Sequence, residues 1–209
     1  MRRLIFLLLP LITAIGLPAL ATEPDMLARI GAQIEQHALL RAEFTQSKRM
    51  SALKRPLITS GRIVFSHRHG VVWQIEQPYR MSYMLAEERI VEIAADGTRR
   101  ERDTRDVPGL AQIGRIFRAL LGANMAALRE VFDVAVKGDP AKWEIELKPR
   151  QAQFTQYLSS VHLSGGRFIE SISISETGGD TTQISFRNTQ SANVPNEAEL
   201  QFFGVTGKP

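Results

Sequence analysis

The sequence predicts a mainly β, α+β domain in which a curved antiparallel sheet forms an incomplete β-barrel covered by helices. Three observations lead there. Apolar and polar residues alternate in many short runs, as strands with one buried face require. The runs follow one another in sequence order, broken by glycine, proline or charge clusters, as in an antiparallel meander. Two segments with helical spacing interrupt the rhythm, one before the first strand and one midway. A sheet of about eleven or twelve strands must curl, close or split, and two apolar helices are at hand to cover its concave side.

The chain opens with an address. Arg2 and Arg3 precede an uncharged stretch, Leu4 to Leu20, and Ala19-Leu20-Ala21 offers the small residues signal peptidase needs. The stretch is short of the about 20 residues of a spanning helix, and Pro10, Gly16 and Pro18 interrupt it. Residues 1–21 are therefore expected to be a cleaved signal peptide. Residues 22–209 are expected to be a single domain, soluble in the periplasm, with no internal repeat or linker. There is no cysteine, which removes a lipid anchor, a disulfide framework and a thiolate metal site. The net charge of +4 falls to about +2 without Arg2 and Arg3, and no dense basic patch supports nucleic-acid binding. Lys48, Arg49, Lys54 and Arg55 form a local basic cluster, read as a solvated loop or, less readily, as a docking patch.

Pro24 to Ala38 reads as an amphipathic helix, with Thr22 or Asp25 as cap and Met26, Leu27, Ile30 and Ile34 as its apolar stripe. The period then becomes two. Leu40, Ala42 and Phe44 form one strand face; Ile63 with Phe65, Trp73 with Ile75, Met81 with Tyr83 and Leu85, and Val91 with Ile93 form others. Thr98 to Asp106, nearly all polar, is an edge hairpin or a loop. Pro108 to Arg129 is helical, with Leu110, Ile113, Ile116, Phe117, Leu120 and Leu121 on one side, a stop at Gly122 and a shorter helix from Ala123 to Arg129. Strands return at Lys142 to Lys148, Val161 to Leu163, Ile172 to Ile174, Ile184 to Phe186 and Leu200 to Phe202. Gly165-Gly166 and Gly178-Gly179 read as hairpin turns.

Catalytic signatures are thin: the chain has no G-x-S-x-G elbow, P-loop, G-x-G-x-x-G or H-E-x-x-H. His67 and His69 would share a face in a strand, but no carboxylate lies beside them, so neither a metal site nor a cofactor is expected. The remaining signal is apolar. The strands and the two helices make either an ordinary core or a hydrophobic cavity for acyl chains, and the residues alone leave both open.

Three stretches carry a resemblance. Leu40 to Gln46 reads L-R-A-E-F-T-Q, Gly61 to Pro78 reads G-R-I-V-F-S-H-R-H-G-V-V-W-Q-I-E-Q-P, and Ala95-Asp96-Gly97 follows a further strand. In this order they resemble the LolA family of periplasmic lipoprotein carriers. The resemblance implies an unclosed barrel of about eleven strands, lidded by helices, whose interior holds acyl chains of a lipoprotein or other lipid. It implies an inner-membrane exporter as donor, an outer-membrane acceptor and a monomer. Phe65, Val71 and Trp73 match family positions that face the cavity. With them, Phe44, Ile63, His67, Ile75, Met81 and Tyr83 on the strands, and Ile113, Ile116, Phe117 and Leu120 on the lid, are the expected cavity residues. The chain departs from the family at His67, where the family has an inward arginine that holds the lid, and at Arg68, where it has proline. His67 would then make the lid contact, and the gate would respond to pH near the ordinary imidazole pKa of about 6.5. The alternatives in other classes are a lipid- or lipoprotein-sensing regulatory domain and a cofactor-free enzyme on the same fold.

Overall fold

The structure is a computed structural model and describes residues 25–86, 89–103 and 125–205. The first helix, α1, runs Met26–Glu35. Asp25 caps it, its carboxylate accepting from the Leu27 backbone N–H at 2.7 Å. Leu27, Ile30 and Ile34 are buried on one stripe, as their spacing predicts.

Six strands follow: β1 Leu39–Arg49, β2 Leu57–Ser66, β3 Gly70–Gln77, β4 Met81–Leu85, β5 Arg89–Ala94 and β6 Arg99–Asp103. Helix α2, Met125–Val131, leads into β7 Phe132–Asp139 and β8 Lys142–Pro149. A single turn, α3 Ala152–Thr155, precedes β9 Leu158–Gly165, β10 Ile169–Glu176 and β11 Thr181–Ala192, and α4 Glu197–Phe203 comes last. All eleven strands join one curved antiparallel sheet in the order β6-β5-β4-β3-β2-β1-β11-β10-β9-β8-β7. It does not close: β6 and β7 are its edges. The Arg-Arg-Glu-Arg-Asp run of β6 is the charge pattern that keeps an open edge from pairing with another chain.

Two expectations need correction. Leu200 to Phe202 is not a strand but part of α4, stopped by Gly204 in the left-handed conformation (φ 73°). Asn196 and Glu199 form a capping box there: Asn196 Oδ1 accepts from the Glu199 N–H at 2.9 Å, and Glu199 Oε2 accepts from the Asn196 N–H at 2.7 Å. Conversely, β7 is a strand the sequence reading passed over, although Phe132, Val134 and Val136 alternate with Asp133, Ala135 and Lys137. The two errors cancel, so the expected number of strands agrees with the structure while its membership changes. Thr98 to Asp106 resolves into an edge strand as far as Asp103. The expected helix from Pro108 to Gly122, with Ile113, Ile116, Phe117 and Leu120, lies outside the described residues, as does the expected signal peptide.

Over β1 to β5 the sheet is also buried on both faces, where one was expected. The inner face meets α1 and Leu128 of α2 and carries the larger core, centred on Ile30, Leu147 and Val161, all at 0% exposure. On the outer face, Leu39, Val64, Val72, Met84, Val91 and Ile93 pack under Phe203 of α4. This explains why β2 and β3 read as runs (Ile63-Val64-Phe65, Val71-Val72-Trp73) and not as clean alternation. Among the described residues, no helix is long and apolar enough to cross a membrane.

Candidate functional site

Strand register sets the candidate site. In antiparallel pairs, residues directly opposite share a face. Leu40, Phe65, Val71 and Leu85 form one cross-strand row; Ala42, Ile63, Trp73 and Tyr83 form the next; Phe44, Gly61, Ile75 and Met81 form the third. Eight of the expected cavity residues therefore stand on the inner face of β1 to β4. Phe44, Ile63, Phe65, Val71 and Ile75 are buried there, and Trp73 and Tyr83 are partly buried against them. Burial pushes the Tyr83 phenol above its ordinary pKa. Met81, at the end of its row, is half-buried.

The rows are knitted by aromatic contacts. The Phe44 and Trp73 rings lie 4.1 Å apart, centroid to centroid, and Phe186 of β11 meets Trp73 edge-on at 6.4 Å. Gly61 makes the third row possible: a Cβ there would lie 1.9 Å from the Gln74 carbonyl oxygen, at the register shift between β2 and β3. Sequence reasoning assigned Gly61 to the motif but not to this close approach.

The inner face is well filled. Leu40, Ala42, Ile63 and Phe65 face Phe168, Ile169 and Phe186 across a cavity of about 30 Å³, room for about two water molecules. An acyl chain enters between these walls only if they part. Phe168, Ile169 and Phe186 were not among the expected lining residues; Phe186 alone had a signal, the alternation with Ile184.

His67 is not in a strand. It lies exposed in the turn between β2 and β3, its ring edge-on to Phe65 at 5.1 Å. Arg68 in the same turn is exposed, so it does not point inward. His69 packs beside Phe203 at 5.2 Å; burial, then the charge of Arg68, lowers its pKa. The three turn residues do not form the strand-borne histidine pair considered from spacing. Among the described residues no three His, Asp or Glu side chains converge as a metal site would need.

At the same end, His37 is buried at 7% exposure against Phe168, centroids 5.1 Å apart. Its Nε2 has no hydrogen-bond partner among the described residues. Burial, then the charge of Arg167, lowers its pKa, keeping it neutral at physiological pH. The outer face differs in kind. Under α4 lies a cleft of about 450 Å³ lined by Arg41, Glu43, Arg62, Gln74 and Glu199. Arg41 donates to both oxygens of Glu199, Nε to Oε1 at 2.5 Å and Nη2 to Oε2 at 2.7 Å. These charged groups, set beside Ile63, Val64 and Phe202 in the same lining, do not suit an acyl chain.

Comparison with known proteins bears on the inner face. The family described as "Outer membrane lipoprotein carrier protein LolA-like" matches residues 21–201. No curated protein sequence matches the chain. Among solved structures, the chain is similar to that of a LolA superfamily protein from Nitrosomonas europaea (6% identity, 84% of this chain and 97% of that one, TM-score 0.46). It is similar to a putative outer membrane lipoprotein-sorting protein domain from Vibrio parahaemolyticus (6% identity, 86% and 96%, TM-score 0.45). It is also similar to a chain of the MucA/MucB complex of Pseudomonas aeruginosa (13% identity, TM-score 0.48), covering 85% of this chain but 59% of that one.

Proposed function

The chain belongs to the LolA-like family of outer membrane lipoprotein carrier proteins, and from that premise we propose that it carries acyl chains of a lipoprotein or other lipid across the periplasm. The cargo is shielded against the inner face of β1 to β4 and β11, between an inner-membrane exporter and an outer-membrane acceptor. Residues 1–21 are the export signal and are removed. The observation that carries this reading is the family match, which spans the entire inner face with its rows at Phe65, Trp73 and Phe44.

Physical chemistry supports it. An acyl chain in water is unfavourable by about 0.8 kcal/mol per methylene, so a lipid crossing an aqueous compartment needs an apolar sleeve. The aromatic and aliphatic rows supply one. Because Leu40, Ile63 and Phe65 meet Phe168, Ile169 and Phe186 across so small a gap, loading between these walls requires them to part, which weakly held elements over the sheet permit. His67 lies exposed beside Phe65 at the turn, and in this reading it makes the contact that gates loading. The protein acts by binding and not by catalysis.

The test is native mass spectrometry of residues 22–209, purified from the periplasm without detergent, with extraction and identification of bound lipid. A bound acylated species is expected, and its headgroup identifies the cargo. Bare protein mass, together with no uptake of a fluorescent fatty acid, would overturn the carrier reading and leave an ordinary packed core.

A further inference from the structure

Five of the seven exposed large hydrophobic side chains among the described residues cluster, Val194 and Val205 lying apart. Leu53 (42%), Leu57 (51%), Ile58 (50%), Tyr79 (52%) and Tyr157 (67%) all sit at one end of the barrel. Register puts them there. The β1–β2 hairpin closes with Lys48 opposite Leu57, the β3–β4 turn follows Gln77 opposite Ser60, and Tyr157 precedes β9, whose Leu158 pairs with Glu176 beside the β10–β11 turn. The hairpin is the most prominent of these. Leu57 and Ile58 are consecutive strand residues, so their side chains point to opposite faces, yet both are half exposed. The tip therefore projects beyond the body of the sheet. It is held in shape: the Ser51 N–H donates to Asp180 Oδ1 at 2.9 Å, and the Leu53 N–H donates to the Met50 carbonyl at 3.0 Å.

The same end is basic. Arg49, Lys54, Arg55 and Arg80 are exposed and have no ion-pair partner among the described residues. The nearby acids are engaged: Glu176 holds Lys48 at 3.0 Å, and Asp180 accepts from Ser51. A projecting wedge with apolar residues on both faces, ringed by unpaired cations, matches a bilayer surface with anionic headgroups: the side chains enter the acyl boundary and the cations meet the phosphates. A flat acidic protein would satisfy the cations but leave one face of the wedge in water.

We propose that this end, led by Leu53, Leu57 and Ile58, docks on anionic lipid bilayers. The proposal goes beyond the carrier reading and does not depend on any cargo in the interior. The experiment is flotation of residues 22–209 with vesicles of phosphatidylcholine alone or with about 30% phosphatidylglycerol, at about 0.05 M and 0.5 M salt. Binding is expected to the anionic vesicles and to fall with salt. Each neutralised cation lowers affinity roughly fivefold, so Arg49→Gln/Lys54→Gln/Arg55→Gln loses on the order of 100-fold. Leu53→Ser/Leu57→Ser/Ile58→Ser loses at least about tenfold through apolar area withdrawn from the bilayer. Val194→Ser, an exposed apolar residue outside this end, changes nothing. The substituted residues are exposed, and thermal melts matching the parent protein's show that each variant is folded. No binding of the parent protein to anionic vesicles, or equal binding by the leucine variant, overturns the proposal. Capture of an acidic protein in place of vesicles overturns it too.

Discussion

Replacing Glu199 by alanine tests whether α4 is fastened to the sheet by its ion pair. The Glu199 side chain is 10% exposed and accepts both guanidinium bonds of Arg41 as well as the Asn196 N–H. Breaking a buried pair by removing one partner typically costs about 3–5 kcal/mol. Arg41 is 32% exposed and regains water once freed, which about halves that figure, while loss of the capping box adds up to about 1 kcal/mol. The expected destabilisation is about 2–3 kcal/mol, or roughly 5–10 °C in Tm for a chain of this size. Its pH dependence has a definite sign. Burial raises the Glu199 pKa, but the bonds from Arg41 and Asn196 outweigh it and leave the folded value below the ordinary one. The contribution is therefore present above the unfolded carboxylate pKa and lost as pH falls through the lower folded value. Urea unfolding of parent and variant at neutral pH and in acid reads both quantities. The gap should be wide at neutral pH and should narrow in acid. A gap under about 0.5 kcal/mol at neutral pH, the value of an ordinary surface pair, would refute the clamp.

Two further substitutions follow from the inner face. Gly61→Ala forces a Cβ against the Gln74 carbonyl and should destabilise by about 1–3 kcal/mol; an unchanged denaturation midpoint would show that the β2–β3 shift can relax. His37→Phe removes a buried nitrogen without a partner and should stabilise by about 1 kcal/mol at neutral pH. Because the folded His37 pKa is lowered, the unfolded chain takes up its proton first as pH falls below the ordinary imidazole value. The gain over the parent protein should therefore grow in mild acid, and a gain that shrinks there in thermal melts would contradict the burial argument.

Local signals made several elements legible. Helix α1 was readable because its cap, Asp25, and its stripe, Leu27, Ile30 and Ile34, lie within one segment. The strand at Lys142 was readable because it is wet on one face, so its alternation is clean. The candidate site was legible to the same degree: Ile63, Phe65, Trp73 and Tyr83 were assigned to one face from their period, and the register places them in adjacent rows. The opposite wall, Phe168 and Ile169, was not, because only the fold of β9 and β10 brings those residues across the interior. His67 was misplaced for a related reason. Spacing of two is the same in a strand and in a turn, and the hydrogen bond from its N–H to the Ala38 carbonyl is a tertiary contact.

Sequence by itself determined the fold class, because period-two runs in meander order with two apolar helical segments leave few arrangements that bury them all. It carried the family as well, through the ordered motifs between Leu40 and Gly97. Tertiary structure alone decided which faces are covered. Leu200 and Phe202, two apart, read as a strand; packing of Phe203 on Val64, Val72 and Met84, with the Arg41–Glu199 pair, makes the segment a helix and buries the outer face of β1 to β5. It alone gathered Leu53, Leu57 and Ile58 with Tyr79 and Tyr157 at one end. The physical reason is common to both. Periodicity reports how a segment partitions its own side chains, whereas coverage and exposure depend on what distant segments bring to meet it.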